Sequence, residues 1–143
     1  MNRSAQLALA GLVSFSLFSC SMLGAGSKDF VMMGSPHVPS AEGNARISTT
    51  DDGNTQIDVT VKHLAPPEKI NPEATVFVVW VQGNTESAEA HNLGALKVND
   101  NLDGSITAVT PLKTFDLYIT AEPSANVNVP GGDTILRTNV EAK

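Results

Sequence analysis

The chain has 143 residues, enough for one domain. With 41% hydrophobic and 17% charged residues it is globular rather than disordered, and nine basic against fifteen acidic residues argue against the clustered Lys and Arg of a nucleic-acid footprint. A single cysteine excludes an internal disulfide framework and a multi-thiolate metal site.

In chain order, the first element is an address. Met1-Asn2-Arg3 carries the basic charge, and the apolar run from Leu7 to Phe18 follows it. Small residues and a cysteine then close the run as Ser19-Cys20-Ser21. A short basic start, an apolar core of roughly 7–15 residues and small residues at its end predict a secretory signal. The run is short of the about 20 apolar residues that a bilayer span needs. Leu17-Phe18-Ser19-Cys20 resembles a bacterial lipobox, with Phe18 bulkier than the small residue usual at its position. The resemblance implies cleavage before Cys20 and lipid on its thiol. An ordinary signal peptide with a free thiol is the competing reading. Acyl chains contribute ~0.8 kcal/mol per buried methylene, so two or three hold a protein firmly on a bilayer. The expected organisation is a lipoprotein signal over 1–19, a lipidated Cys20 and flexible spacer over 20–43, and a folded domain over 44–143.

The spacer is predicted from its Gly, Ser and Pro content, since Pro36 and Pro39 favour extended chain over helix. Within it, Phe30-Val31-Met32-Met33 is an apolar patch. Docking onto the domain or the membrane interface is one reading of it, and a partner-binding motif is another.

From Asn44 onward the signals are those of strands. Residues 45–50 and 55–62 alternate about the turn Asp51-Asp52-Gly53-Asn54, which predicts a hairpin with Ile57, Val59 and Val61 facing in. Residues 63–73 form a stiff connection, with prolines at 66, 67 and 72. The run from Thr75 to Gln82 is apolar on both parities, as in a central strand covered on both faces. Further strands are predicted over 91–98, 105–110, 115–120 and 134–140, with Phe115, Leu117 and Ile119 facing in. About seven strands without a helical period predict an all-β, immunoglobulin-like antiparallel sandwich, with a small barrel as the alternative.

The segments Phe77-Val78-Val79-Trp80, Asn92-Leu93-Gly94, Ile119-Thr120-Ala121-Glu122-Pro123 and Pro130-Gly131-Gly132 together resemble the extracytoplasmic C-terminal domain of anti-sigma-K factors, over roughly residues 44–140. The resemblance implies a β-sandwich outside the cytoplasm with a sensing or binding role. Ser124-Ala125 stands where that family has Gly-Gly. The family's zinc-binding, sigma-binding module and transmembrane helix are not found in these 143 residues.

Candidate chemistry is sparse. Trp80 is expected to anchor the core, with ligand stacking as the competing role. Glu122 is expected to accept backbone or threonine hydrogen bonds at a strand corner. His37, His63 and His91 lack the close spacing of zinc ligands. Asn99-x-Asn101-x-Asp103-Gly104 half resembles a calcium loop, but Thr110 stands where the bidentate glutamate belongs, so a plain turn is expected.

The sequence therefore predicts a non-enzymatic envelope module that needs no cofactor. It would be held to the membrane through its N-terminal lipid and meet another envelope protein or ligand, not nucleic acid. The loops 82–90 and 123–132 are its expected variable surfaces. The alternatives are an envelope hydrolase using Asp100, Asp103 or Glu122, and an accessory component of an anti-sigma-type signalling system.

Overall fold

The computed structural model describes residues 26–142. Its strands are β1 (Lys28–Gly34), β2 (Glu42–Thr49), β3 (Thr55–Lys62), β4 (Val76–Gly83), β5 (Ala90–Ala95), β6 (Lys97–Val98), β7 (Gly104–Thr110), β8 (Thr114–Glu122) and β9 (Thr134–Glu141). One short helix, α1 (Pro67–Ile70), interrupts the proline-rich connection before β4. Every strand pairing is antiparallel, in the order β5-β4-β8-β9-β1-β2-β3-β7-β6. The sheet is nearly closed into a barrel.

The alternation read from the sequence holds in β2 and β3, and in β8 the inward parity holds while Tyr118 and Thr120 on the other parity are buried as well. Ile57, Val59 and Val61 of β3 are buried, as are Phe115, Leu117 and Ile119 of β8. Together with Ile47, Phe77, Val79, Leu136 and Val140 they form one apolar interior. Removing that surface from water, at about 25 cal/mol per Å², is the main favourable term for a sheet of this kind.

There are nine strands where alternation predicts about seven, for two reasons. The predicted strand over 91–98 is divided at Leu96. Its amide donates to the Phe77 carbonyl of β4, while Lys97 and Val98 pair with β7. The chain thus crosses from one end of the sheet to the other within a few residues. Gly94 just before the crossing has φ +120°, a conformation that disfavours a side chain, next to a bulge that leaves Leu93 of β5 unpaired between the partners of Val79 and Trp80.

The second difference lies in the predicted spacer, where residues 28–34 form β1 instead of flexible chain. Lys28–Met32 pair with β2, while Met33 and Gly34 pair with β9. One strand therefore joins two ladders, and it does so because Met32 fills the interior between them, only 3% exposed. Gly43 opposite is required by that approach, since a Cβ there would lie 2.9 Å from the Met32 Cβ.

Candidate functional site

Two outer surfaces of the sheet merit separate description. The first is over β4 and β8. Strand β4 is buried on both parities: Phe77, Val79 and Val81 face the interior, while Val78 and Trp80 face outward and are still fully covered. With Tyr118 they form a second apolar cluster, against which Val76, Ala90 and Val127 pack. Its cover is the segment 123–133, whose ends are tied by Thr75 Oγ1 donating to the Pro123 carbonyl and the Ala121 amide donating to the Asp133 carbonyl, and three further sets of contacts hold it down.

The first is a hydrogen-bonded chain through Glu122. The Trp80 Nε1–H donates to Thr120 Oγ1 at 2.9 Å, and the Thr120 hydroxyl donates to Glu122 Oε1 at 2.7 Å. The same oxygen accepts the amides of Gly131 and Gly132 at 2.9 and 3.0 Å. Glu122 is only 2% exposed, and a carboxylate so desolvated needs donors of this kind. Two successive backbone N–H groups on one oxygen form a small anion-holding nest. Gly132 is required there, because a Cβ would lie 1.7 Å from the Ala121 carbonyl oxygen. The second set is on β5, where Asn92 Nδ2 donates to the carbonyls of Ala125 and Val127 at 2.9 and 2.8 Å. The third is Val127 itself, packed on the Trp80 cluster.

At the rim, the Tyr118 hydroxyl donates to Gln82 Oε1 at 3.3 Å, and the Arg137 guanidinium lies 5.0 Å from the Tyr118 ring centre. Burial pushes the Tyr118 phenol above the ordinary tyrosine range; Arg137 opposes that shift and Asp116 adds to it.

The second surface is the outer face of β1, β2, β3 and β7. Register aligns Asp29, Arg46, Asp58 and Thr107 in one row across the four strands. The next row is Val31, Asn44, Thr60 and Ser105. Arg46 Nε donates to Asp29 Oδ1 at 3.0 Å, and this hydrogen bond raises the guanidinium pKa. Asp58 accepts from Thr107 Oγ1 at 2.7 Å and from Gln56 Nε2 at 3.1 Å. An open groove of about 760 Å³ runs over β1–β3. Arg46 and Asp29 are 61% and 49% exposed at the side chain, so the row is solvated and their attraction is screened.

The structure places the other sequence candidates as follows. Cys20 and the signal segment lie outside the described residues. Trp80 is buried as expected, but in the outer cluster and not in the main interior. Glu122 accepts threonine and backbone hydrogen bonds, as its corner position predicts. The Asn99 side chain accepts the amides of Asn101 and Asp103, both at 3.0 Å, closing a turn on itself. His37, His63 and His91 are exposed on separate segments. Among the described residues no group of three His, Cys, Asp or Glu is placed to hold a metal, and no helix is long and apolar enough to cross a membrane.

The loop at 82–90 is tied by Gln82 Nε2 donating to the Ala88 carbonyl. The 123–132 loop, expected as a variable surface, keeps Pro123, Ser124, Asn126, Asn128 and Val129 exposed and also packs Val127 on the Trp80 cluster. Asn92 and Thr120 were not singled out by any chemical argument from sequence. A polar residue at a position whose neighbours along the strand face apolar partners was the available signal for Thr120. Asn92 Oδ1 accepts the Gly94 amide at 2.7 Å in a local turn, but the carbonyls that its Nδ2 reaches lie more than thirty residues away, where no local pattern points.

No protein-family model matches the chain, and no curated protein matches it either.

Proposed function

We propose that the chain is a lipid-anchored, non-enzymatic binding module of the bacterial envelope, attached through Cys20 and presenting its β-domain to another envelope protein. The observation that carries the reading is the N-terminal pattern: a basic start, an apolar run and the chain's one cysteine at the end of it, in Leu17-Phe18-Ser19-Cys20. The domain's internal chemistry is consistent with that role. Its one deeply buried carboxylate, Glu122, is engaged in holding down a loop. The two ladders that share β1 support a two-layer, immunoglobulin-like description of the barrel. The alternative is an accessory component of an anti-sigma-type envelope signalling system, which the resemblance of the Trp80, Glu122 and Gly131-Gly132 segments motivates.

The test is lipid labelling of the native product in a bacterial host. Radiolabelled palmitate is expected in the wild-type chain and absent from Cys20→Ser, which should leave the washed membrane fraction. An intact starting methionine and an unmodified Cys20 thiol by mass spectrometry would refute the reading.

A further inference from the structure

The ends of the strand order are β5 and β6, and they protect their neighbours unequally. Strand β6 covers only Gly104 and Ser105 of β7. From Ile106 to Thr110 the side of β7 away from β3 carries no paired strand among the described residues. Strand β5 approaches β7 there without forming a ladder, leaving a seam that narrows where Gly94 meets Ile106.

Exposed edges are ordinarily blunted by charge, proline or a bulge. The β5 edge has the Gly94 conformation and the bulge at Leu93 beside it. The β7 edge reads Ser105-Ile106-Thr107-Ala108-Val109-Thr110, with no charge, no proline and four β-branched residues. Its inward side chains are also incompletely covered. Ile106 and Ala108 are half-buried, whereas Ile57 and Val59, paired with Ala108 and Ile106 on β3, are fully buried. Leu93 of β5 is likewise half-buried, and Val109 is 51% exposed. The seam therefore combines unpaired backbone with uncovered apolar side chains.

We infer that the β7 edge accepts an extended segment of a partner protein by strand addition. The ladder would form on Ile106–Thr110. Apolar side chains at alternate positions of the segment would cover Leu93, Ile106 and Ala108, and its outward positions would be neutral or basic. Backbone hydrogen bonds supply affinity in this mode, and alternate side chains supply selectivity. The sign of the outward positions follows from charge: the chain carries −6, and Asp58 lies beside Thr107 on the outer face, while Lys97 of β6 stands opposite Ser105, outside the proposed ladder. A second copy brings the same −6 and is disfavoured by it. The inference rests on the binding-module reading, but not on the lipid anchor.

The probe is a synthetic peptide in which valine alternates with lysine and threonine, added to the full chain in detergent micelles. Hydrogen exchange followed by NMR is expected to slow at alternate amides within Ile106–Thr110, by roughly tenfold at about ten times the peptide Kd. A peptide of the same sequence N-methylated at alternate backbone positions should give no protection, and one with glutamate for lysine should bind more weakly. Because the changes are in the peptide, the fold is untouched. Protection elsewhere, or binding indifferent to N-methylation, would overturn the proposal. So would protection of the same amides by dimerisation without peptide, which would make the occupant a second copy. Failure here with palmitate still on Cys20 would leave the anchor standing, and the reverse result would leave the edge standing.

Discussion

On the outer face of β4 and β8, Trp80 and Tyr118 belong to a buried cluster on which Val127 of the 123–133 segment packs. On the outer face of β2 and β3, Asn44, Arg46, Asp58 and Thr60 meet solvent. Both faces are built on antiparallel strands of the same sheet, and they differ in what stands at the outward parity. The aromatic side chains Trp80 and Tyr118 would make a large exposed patch, and the chain covers them and fixes the cover with Glu122 and Asn92, whereas Val31 of β1 stays exposed on the other face. Polar side chains need no cover, and their groove stays open. Stability and accessibility are thus divided between the two faces. Loss of side chains from the covered face should weaken the fold, and loss from the open face should not.

The largest effect is expected at Trp80. Trp80→Ala removes the largest buried side chain of the chain and leaves a cavity between β4 and the 123–133 segment. A cost of about 3–5 kcal/mol is expected for such a truncation. Urea unfolding of the variant, compared with wild type, measures it. A loss below about 1 kcal/mol, within what surface changes produce, would mean the outer cluster is ornament and the two faces are equivalent.

A smaller but more selective effect is expected at Glu122. Glu122→Ala leaves the amides of Gly131 and Gly132 and the Thr120 hydroxyl without their common acceptor. Roughly 2–3 kcal/mol should be lost, since unsatisfied buried donors carry most of their desolvation penalty. Trp80, the one tryptophan, reports the position of the cover. Its emission should shift to the red and become open to quenching by iodide in Glu122→Ala. Glu122→Gln, which retains an acceptor, should shift it less. Unchanged emission in both variants would show that the Val127 and Asn92 contacts hold the segment without the carboxylate.

These residues also mark how far the sequence could be read. Strands with one wet and one dry face were legible, because Ile57, Val59 and Val61 repeat at the period of the pleat. The both-sided burial of β4 was legible too, from an unbroken apolar run. Strand β1 was not. Lys28-Asp29-Phe30-Val31-Met32-Met33-Gly34 is apolar on both parities, yet Val31 and Met33 are 74% and 73% exposed. No alternation distinguishes it from linker, and its place is set by ladders to β2, the next strand, and to β9, far along the chain. The role of Glu122 followed from its place before Pro123 at a strand end. Its coupling to Trp80 through Thr120 did not, because tertiary pairing of β4 with β8 creates it. The open β7 edge was invisible for a related reason: whether a strand has two neighbours is a property of the whole sheet order, not of its own residues.

The smallest effect is expected on the open face, and it is the sharpest test of the division. Arg46→Ala breaks the 3.0 Å contact with Asp29, the one ion pair among the described residues. Both side chains are about half exposed, and pairs of that kind contribute little once solvent and salt screen them. The ladder beneath them is backbone, shared by β1, β2 and β3 and indifferent to the guanidinium. The urea midpoint of Arg46→Ala is therefore expected to coincide with that of wild type at physiological ionic strength, with Trp80 emission unmoved. A midpoint lowered as far as in Glu122→Ala would show that the row Asp29–Arg46–Asp58 secures β1 against the sheet. The open face would then be structural as well, and the groove above it would lose its standing as a surface free to serve a ligand.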